Sequence, residues 1–188
     1  MENITNNIRL YEDFAISNAM EDGDLLRIEG RACTYNVKNL NNEVVNEKSF
    51  VETLKLYNAK QLKPAFTYEH KKDMLIGGID ALESRQDGLY IKAHLNKNVK
   101  LCQDTLIPCI LANDIKGLST EGYIIGGYNG VEIFDDGSYY VKNMMLTAVS
   151  VVNVPADPMA NFYTVANFLQ THKPVEVATP YKSKWYLL

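Results

Sequence analysis

Lys116-Gly117-Leu118-Ser119-Thr120-Glu121-Gly122-Tyr123 reads as a β-strand that carries a serine among small and apolar residues. Successive strand residues point to opposite faces, so Gly117, Ser119, Glu121 and Tyr123 share one side. Gly117 and Gly122 flank the serine. Glycine there allows another backbone to approach closely, where a side chain would block it. A serine in a strand is more often solvated or bonded to backbone than reactive. A nucleophilic role therefore needs a base from elsewhere in the chain.

Working outward, most of the chain is β-like. Leu26, Ile28, Gly30 and Ala32 alternate with Arg27, Glu29 and Arg31, which predicts a half-buried strand. Asn36 to Asn46 is asparagine-rich and reads as a loop. Ser49 with Glu52 fits a capping box ahead of a helix with the stripe Phe50, Leu54 and Tyr57, and Pro64 ends that region. Strands are expected at Ala65 to His70, Met74 to Leu82 and Gly88 to Leu95, with a charged turn at Lys71-Lys72-Asp73 and a hairpin at Asp87-Gly88. Val99, Cys102, Leu106 and Ile110 have helical spacing, interrupted by Pro108.

Beyond the serine strand, Gly126 to Gly130 and Asp135-Asp136-Gly137 are turns, and Ser138 to Val154 is β-rich. Within it, Leu146 to Val154 reads as a buried strand whose Ala148, Ser150, Val152 and Val154 line one face, stopped by Pro155. A third helix is expected from Pro158 to Leu169. Short strands joined by turns, with helices inserted and no βαβ alternation, predict a mainly β, α+β fold. The expected form is a closed or partly closed antiparallel β-barrel with helices outside, an antiparallel sandwich being the alternative. The expected division is an N-terminal extension (1–23), the barrel domain (24–170) and an extended C-terminal tail (171–188).

The 188 residues suit one such domain, and a hydrophobic share of 46% can fill its core. A net charge of −4 with interspersed acids and bases argues against a nucleic-acid surface. No apolar run approaches the ~18 to 20 residues of a membrane span, and no signal peptide is expected at the start. Cys33, Cys102 and Cys109 are scattered and do not form a disulfide framework, which points to a reducing compartment. Cys102 and Cys109 with His94 make at most a weak metal constellation, since no close Cys-x-x-Cys pair exists.

Three histidines are available as a base for Ser119. His172 falls in the tail, and His94 lies on the polar side of its strand. His70 ends an apolar strand, where a rigid element can hold an imidazole open to a cleft. Its near-neutral reference pKa lets it take a proton from a hydroxyl and return it to a leaving amine. A surface turn histidine is the plainer alternative.

The order of these pieces resembles a known family. Gly30-Arg31-Ala32 comes first, then Lys48-Ser49-Phe50, Glu69-His70, Ile76-Gly77, Asp87-Gly88-Leu89 and Gly117-Leu118-Ser119. Val149-Ser150-Val151-Val152 running into Pro155-Ala156-Asp157 completes the series. The chain resembles the prohead serine proteases of tailed phages, which are related in fold to herpesvirus assemblin, over roughly residues 24 to 166. The resemblance implies a herpesvirus-protease-like barrel, with Ser119 as nucleophile and His70 as general base. It implies cleavage of scaffolding protein, or of a scaffold-like segment of the major capsid protein, inside the procapsid in the host cytoplasm, together with self-processing. It allows a homodimer, calls for no membrane and involves no metal or organic cofactor.

One position departs from the pattern. The family often has a glutamate just before its Val-Ser pair, and Ala148 stands there in this chain. Glu121, Ser150 and Asp73 are the candidates left for the third role. Ala148 also supports a rival reading, a pseudoprotease kept as a structural component of the head. A barrel that binds a small ligand is a second rival.

Overall fold

The computed structural model describes residues 21–60, 63–157, 159–160 and 162–164. In chain order the elements are β1 (Glu21–Asp22), β2 (Leu25–Thr34), β3 (Glu43–Val44), α1 (Val51–Lys60), β4 (Ala65–Tyr68), β5 (Lys71–Arg85) and β6 (Gly88–Asn96). They continue with α2 (Ile107–Leu111), β7 (Gly117–Ile124), β8 (Val131–Ile133), β9 (Tyr139–Val141), β10 (Met144–Val152) and β11 (Phe162–Thr164). The large sheet runs β1-β2-β6-β5-β4-β10-β7, with β11 also paired to β2, and a small sheet runs β3-β9-β8.

The alternation seen in the sequence sets the faces. Leu26, Ile28 and Ala32 of β2 and Leu89, Ile91, Ala93 and Leu95 of β6 are buried, as the period of two requires. Phe50, just ahead of α1, and Leu106 and Ile110, in and before α2, complete the same core. Bulges between Arg31 and Cys33, Ile79 and Ala81, and Leu146 and Ala148 increase the local twist, and the sheet curls into a half-barrel. The barrel does not close by strand pairing among the described residues: the order ends at β7, where Leu118 N–H bonds Ala160 C=O. Nor is it wholly antiparallel, because β10 inserts between β4 and β7 and pairs with β4 in parallel.

Several local expectations are corrected. Asn46, not Ser49, caps the first helical segment: its side chain accepts from Lys48 N–H, and Ser49 Oγ accepts from Asn46 N–H. Ser49 Oγ instead donates to Val141 C=O at 2.5 Å, joining the helix start to β9. Thr53 Oγ1 donates to Met144 C=O and accepts from Leu146 N–H, so α1 is docked onto β10 by one buried hydroxyl. In the second helical region Pro108 has no N–H to give residue 104. The turn Cys102–Leu106 widens to π spacing there, with Ile107 N–H on Cys102 C=O, before α2 begins.

Lys71-Lys72-Asp73 is not a turn but the exposed start of β5; the turn is Glu69–His70. The helix expected from Pro158 to Leu169 is also overturned. Phe162–Thr164 is strand β11, with Phe162 opposite Gly30 and Thr164 opposite Ile28, because the backbone of β2 offers a ladder there. Residues 165–169, the tail 171–188 and His172 lie outside the described residues. Glu21–Asp22, assigned to the extension, pair with β2.

Candidate active site

His70 occupies the second position of the two-residue turn between β4 and β5. Both turn residues have positive φ, 51° for Glu69 and 56° for His70. Such a turn matches the twist of a hairpin but favours asparagine or glycine, so the surroundings must hold it. Glu69 N–H bonds Val151 C=O at 3.0 Å, and Asn153 N–H bonds Glu69 Oε1 at 2.7 Å. Both bonds tie the turn to the end of β10, and the imidazole extends over that strand.

Register then decides what it meets. Thr67, Ser150 and Ser119 stand side by side across β4, β10 and β7, and Ala65, Ala148 and Glu121 form the next row. Neighbours in register point to the same face, and so do residues two apart in one strand. Ser119, Glu121 and Ser150 are therefore on one face, the face that His70 covers. His70 Nδ1 is 3.4 Å from Ser150 Oγ and 3.5 Å from Glu121 Oε2. Ser150 is fully buried, and its Oγ is 2.6 Å from Thr67 Oγ1. The second oxygen of Glu121 lies 3.5 Å from Lys72 Nζ.

The two distances to Nδ1 are at the outer limit of hydrogen bonding. No hydrogen bond joins Ser119 to His70 among the described residues. Looser contacts of this kind are ordinary in an enzyme without substrate. Gly117 and Gly122 are required by close approach: a Cβ would lie 2.6 Å from Val152 O at the first and 2.4 Å from Met145 O at the second.

The other candidates separate cleanly. Asp73 is exposed on β5, and no bond joins it to His70 among the described residues. Ala148 is buried and directly opposite Glu121. His94 Nδ1 lies 2.8 Å from Asp80 Oδ1, on the outer side of β6. No group of three potential metal-ligating side chains occurs among the described residues. Cys102 is fully buried, donates to Ile76 C=O, and has its thiol pKa pushed up to about 11 by burial.

The sequence alone does not mark Thr67 and Lys72 as part of the site. Thr67 reaches the site through the parallel β4–β10 pairing, which leaves no local signal, and Lys72 through the unforeseen extension of β5.

Ser119, Glu121 and Ser150 thus share one sheet face, and His70 meets the last two of them there. The chain belongs to the caudovirus prohead serine protease family, whose model matches residues 13–174. It is thus a serine protease of phage capsid maturation. Among solved structures it is similar to the capsid assembly protease gp21 of bacteriophage T4, at 17% identity and a TM-score of 0.60, over 75% of this chain and 92% of that one. It is also similar to the KSHV protease bound to a hexapeptide phosphonate inhibitor, at 12% identity and a TM-score of 0.48, over 76% and 65% of the two chains. For the varicella-zoster virus protease the values are 11% and 0.39, over 68% and 57%. No curated protein sequence matches the chain.

Proposed function

We propose that this protease cuts scaffolding protein, or a scaffold-like segment of the major capsid protein, inside the immature head, and processes itself there. Ser119 is the nucleophile, His70 the general base, and Glu121 the residue that positions the imidazole. The observation that carries this reading is His70 Nδ1 facing Glu121 Oε2 at 3.5 Å, with Glu121 in register with Ala148. The carboxylate that the family often carries on β10 is supplied here from the neighbouring strand. Opposite residues in an antiparallel pair have Cβ atoms only ~4.5 to 5.5 Å apart, so either strand can aim a carboxylate at the same ring.

A carboxylate at Nδ1 favours the tautomer with its proton on Nδ1 and leaves Nε2 as the proton acceptor. Ser119 Oγ then attacks the scissile carbonyl carbon while Nε2 takes its proton. The C–N bond breaks as Nε2 returns that proton to the leaving amine. Water, deprotonated by the same nitrogen, cleaves the ester, and the proton goes back to Ser119. Ser150 and Thr67 act as a buried hydroxyl pair beneath the ring and are positioning residues.

The test compares capsid-protein and scaffold fragments in cells infected with phage carrying wild type or Ser119→Ala. Wild type should yield the fragments and Ser119→Ala none, with the variant still incorporated in heads. Identical fragment patterns would remove Ser119 from the mechanism. The pseudoprotease reading would require wild type to yield none.

A further inference from the structure

A small cavity of about 50 Å³ adjoins Ser119 and Thr120, walled by Thr34, Asn39, Glu43 and Asp157 among others. It lies along the edge of β7 that carries no strand partner among the described residues, whereas His70 stands over the opposite, β10 side. Ser119 is therefore between the base and the cavity. Thr34 is 6% exposed, and its Oγ1 has no hydrogen-bond partner among the described residues. Asp157 is already engaged: Oδ2 accepts Thr34 N–H at 2.5 Å and Oδ1 accepts Met159 N–H at 2.9 Å. Glu43 Oε2 accepts from Asn39 Nδ2 at 3.1 Å.

Resting on Ser119 and His70 as the dyad, we infer that this cavity receives the substrate side chain on the acyl side of the scissile bond, and that it selects a short side chain bearing a hydrogen-bond donor: serine, threonine or asparagine. The direction follows from the chemistry. The leaving nitrogen must face His70, which gives it a proton, so the acyl half points the other way, toward the cavity. Size follows from volume. A cavity of ~150 Å³ takes benzene and one water claims ~30 Å³ of liquid, so this space suits a few heavy atoms and excludes aromatic and leucine side chains. Polarity follows from the walls. A buried hydroxyl without a partner gains most from a ligand that bonds it, and two carboxylates nearby favour a donor and reject an acid.

The experiment digests a protein-derived peptide library with the purified full chain and reads the new ends by mass spectrometry. In parallel, a fluorophosphonate probe reports covalent labelling of Ser119. Serine, threonine and asparagine should dominate the residue at each new C-terminus. In matched peptides, Thr34→Val should lower the serine-over-alanine ratio of kcat/KM by about tenfold, the scale of one lost buried hydrogen bond. Labelled Ser119 with leucine, phenylalanine or glutamate at that end overturns the cavity's assignment and leaves the dyad standing. So does an unchanged ratio in a folded Thr34→Val. Unlabelled Ser119 with no peptide cut removes the dyad, and the assignment falls with it.

Discussion

His70 is held in a backbone conformation that a histidine does not favour. Left-handed non-glycine residues cost on the order of 1–3 kcal/mol and persist where neighbours over-determine them. Here the bonds of Glu69 to Val151 and Asn153 do so. His70→Gly should therefore raise stability by about 1 kcal/mol, a Tm gain of roughly 2–4 °C for a chain of this size, while abolishing cleavage. A calorimetric Tm at or below wild type would show that the turn is unstrained. Glu121 allows a sharper test. Loss of the orienting carboxylate of a serine triad can cost about 10⁴ in kcat. Glu121→Ala should thus lower kcat far more than it changes KM, and Ala148→Glu added to it should restore part of the loss, because the two positions are in register. A double variant that folds but is no more active than Glu121→Ala would exclude a shared role for the two positions. Rescue is incomplete because Ala148 is only 6% exposed, and a carboxylate there loses hydration.

At the scale of elements, legibility tracked the range of the interactions. β2 and β6 were readable because their burial alternates within each segment. The strands carrying Ser119 and Ser150 were readable as runs of apolar and small residues bounded by turn residues, although burial does not alternate along the whole of either, and so were the residues on their shared faces. Their pairing was not: Thr67 beside Ser150 depends on a parallel contact between strands far apart in sequence. The apolar spacing around Phe162–Thr164 fits a helix as well as a strand, and only β2 decides it. The Glu69–His70 turn leaves no signal because its sequence lacks the usual turn residues. By contrast Asp135-Asp136-Gly137 announced itself, and Gly137 has φ 79°. In that turn Asp136 accepts from Ser138 Oγ and N–H and from Lys38 Nζ. These bonds, in that order, hold its carboxyl well below the usual aspartate range. A depressed folded pKa means stabilisation present above the unfolded value of about 3.9 and lost as pH falls toward the folded one. The Ser138 amide resonance should hold its position through the range where a free aspartate titrates and shift only below it; Asp136→Asn should abolish the shift. A midpoint near 4 in wild type would show that the turn does not hold the carboxylate.

For the whole molecule, the question is whether a sheet that stops short of closure still seals its interior. The ladder ends at β7, yet Leu118, Val149, Val151 and Phe66 near that end are at most 1% exposed. Helical segments pack on β10, β5 and β6, and the bond from Leu118 to Ala160 holds the chain beyond β10 against β7. Apolar burial needs excluded water rather than a continuous ladder. The three thiols report on this seal from different depths: Cys33 and Cys102 are buried in the core, and Cys109 is partly exposed. Burial raises the pKa of Cys33 far above that of a free thiol and that of Cys102 to about 11. Alkylation requires both access and thiolate, so the two core cysteines lack each requirement at neutral pH. Iodoacetamide should therefore add one equivalent to the native protein, at Cys109, and three after denaturation, as read by intact mass and peptide mapping. Modification of Cys33 or Cys102 at the rate of Cys109, under conditions where the fold is intact by circular dichroism, would mean that the half-barrel opens to solvent and that its interior is not the sealed core described above.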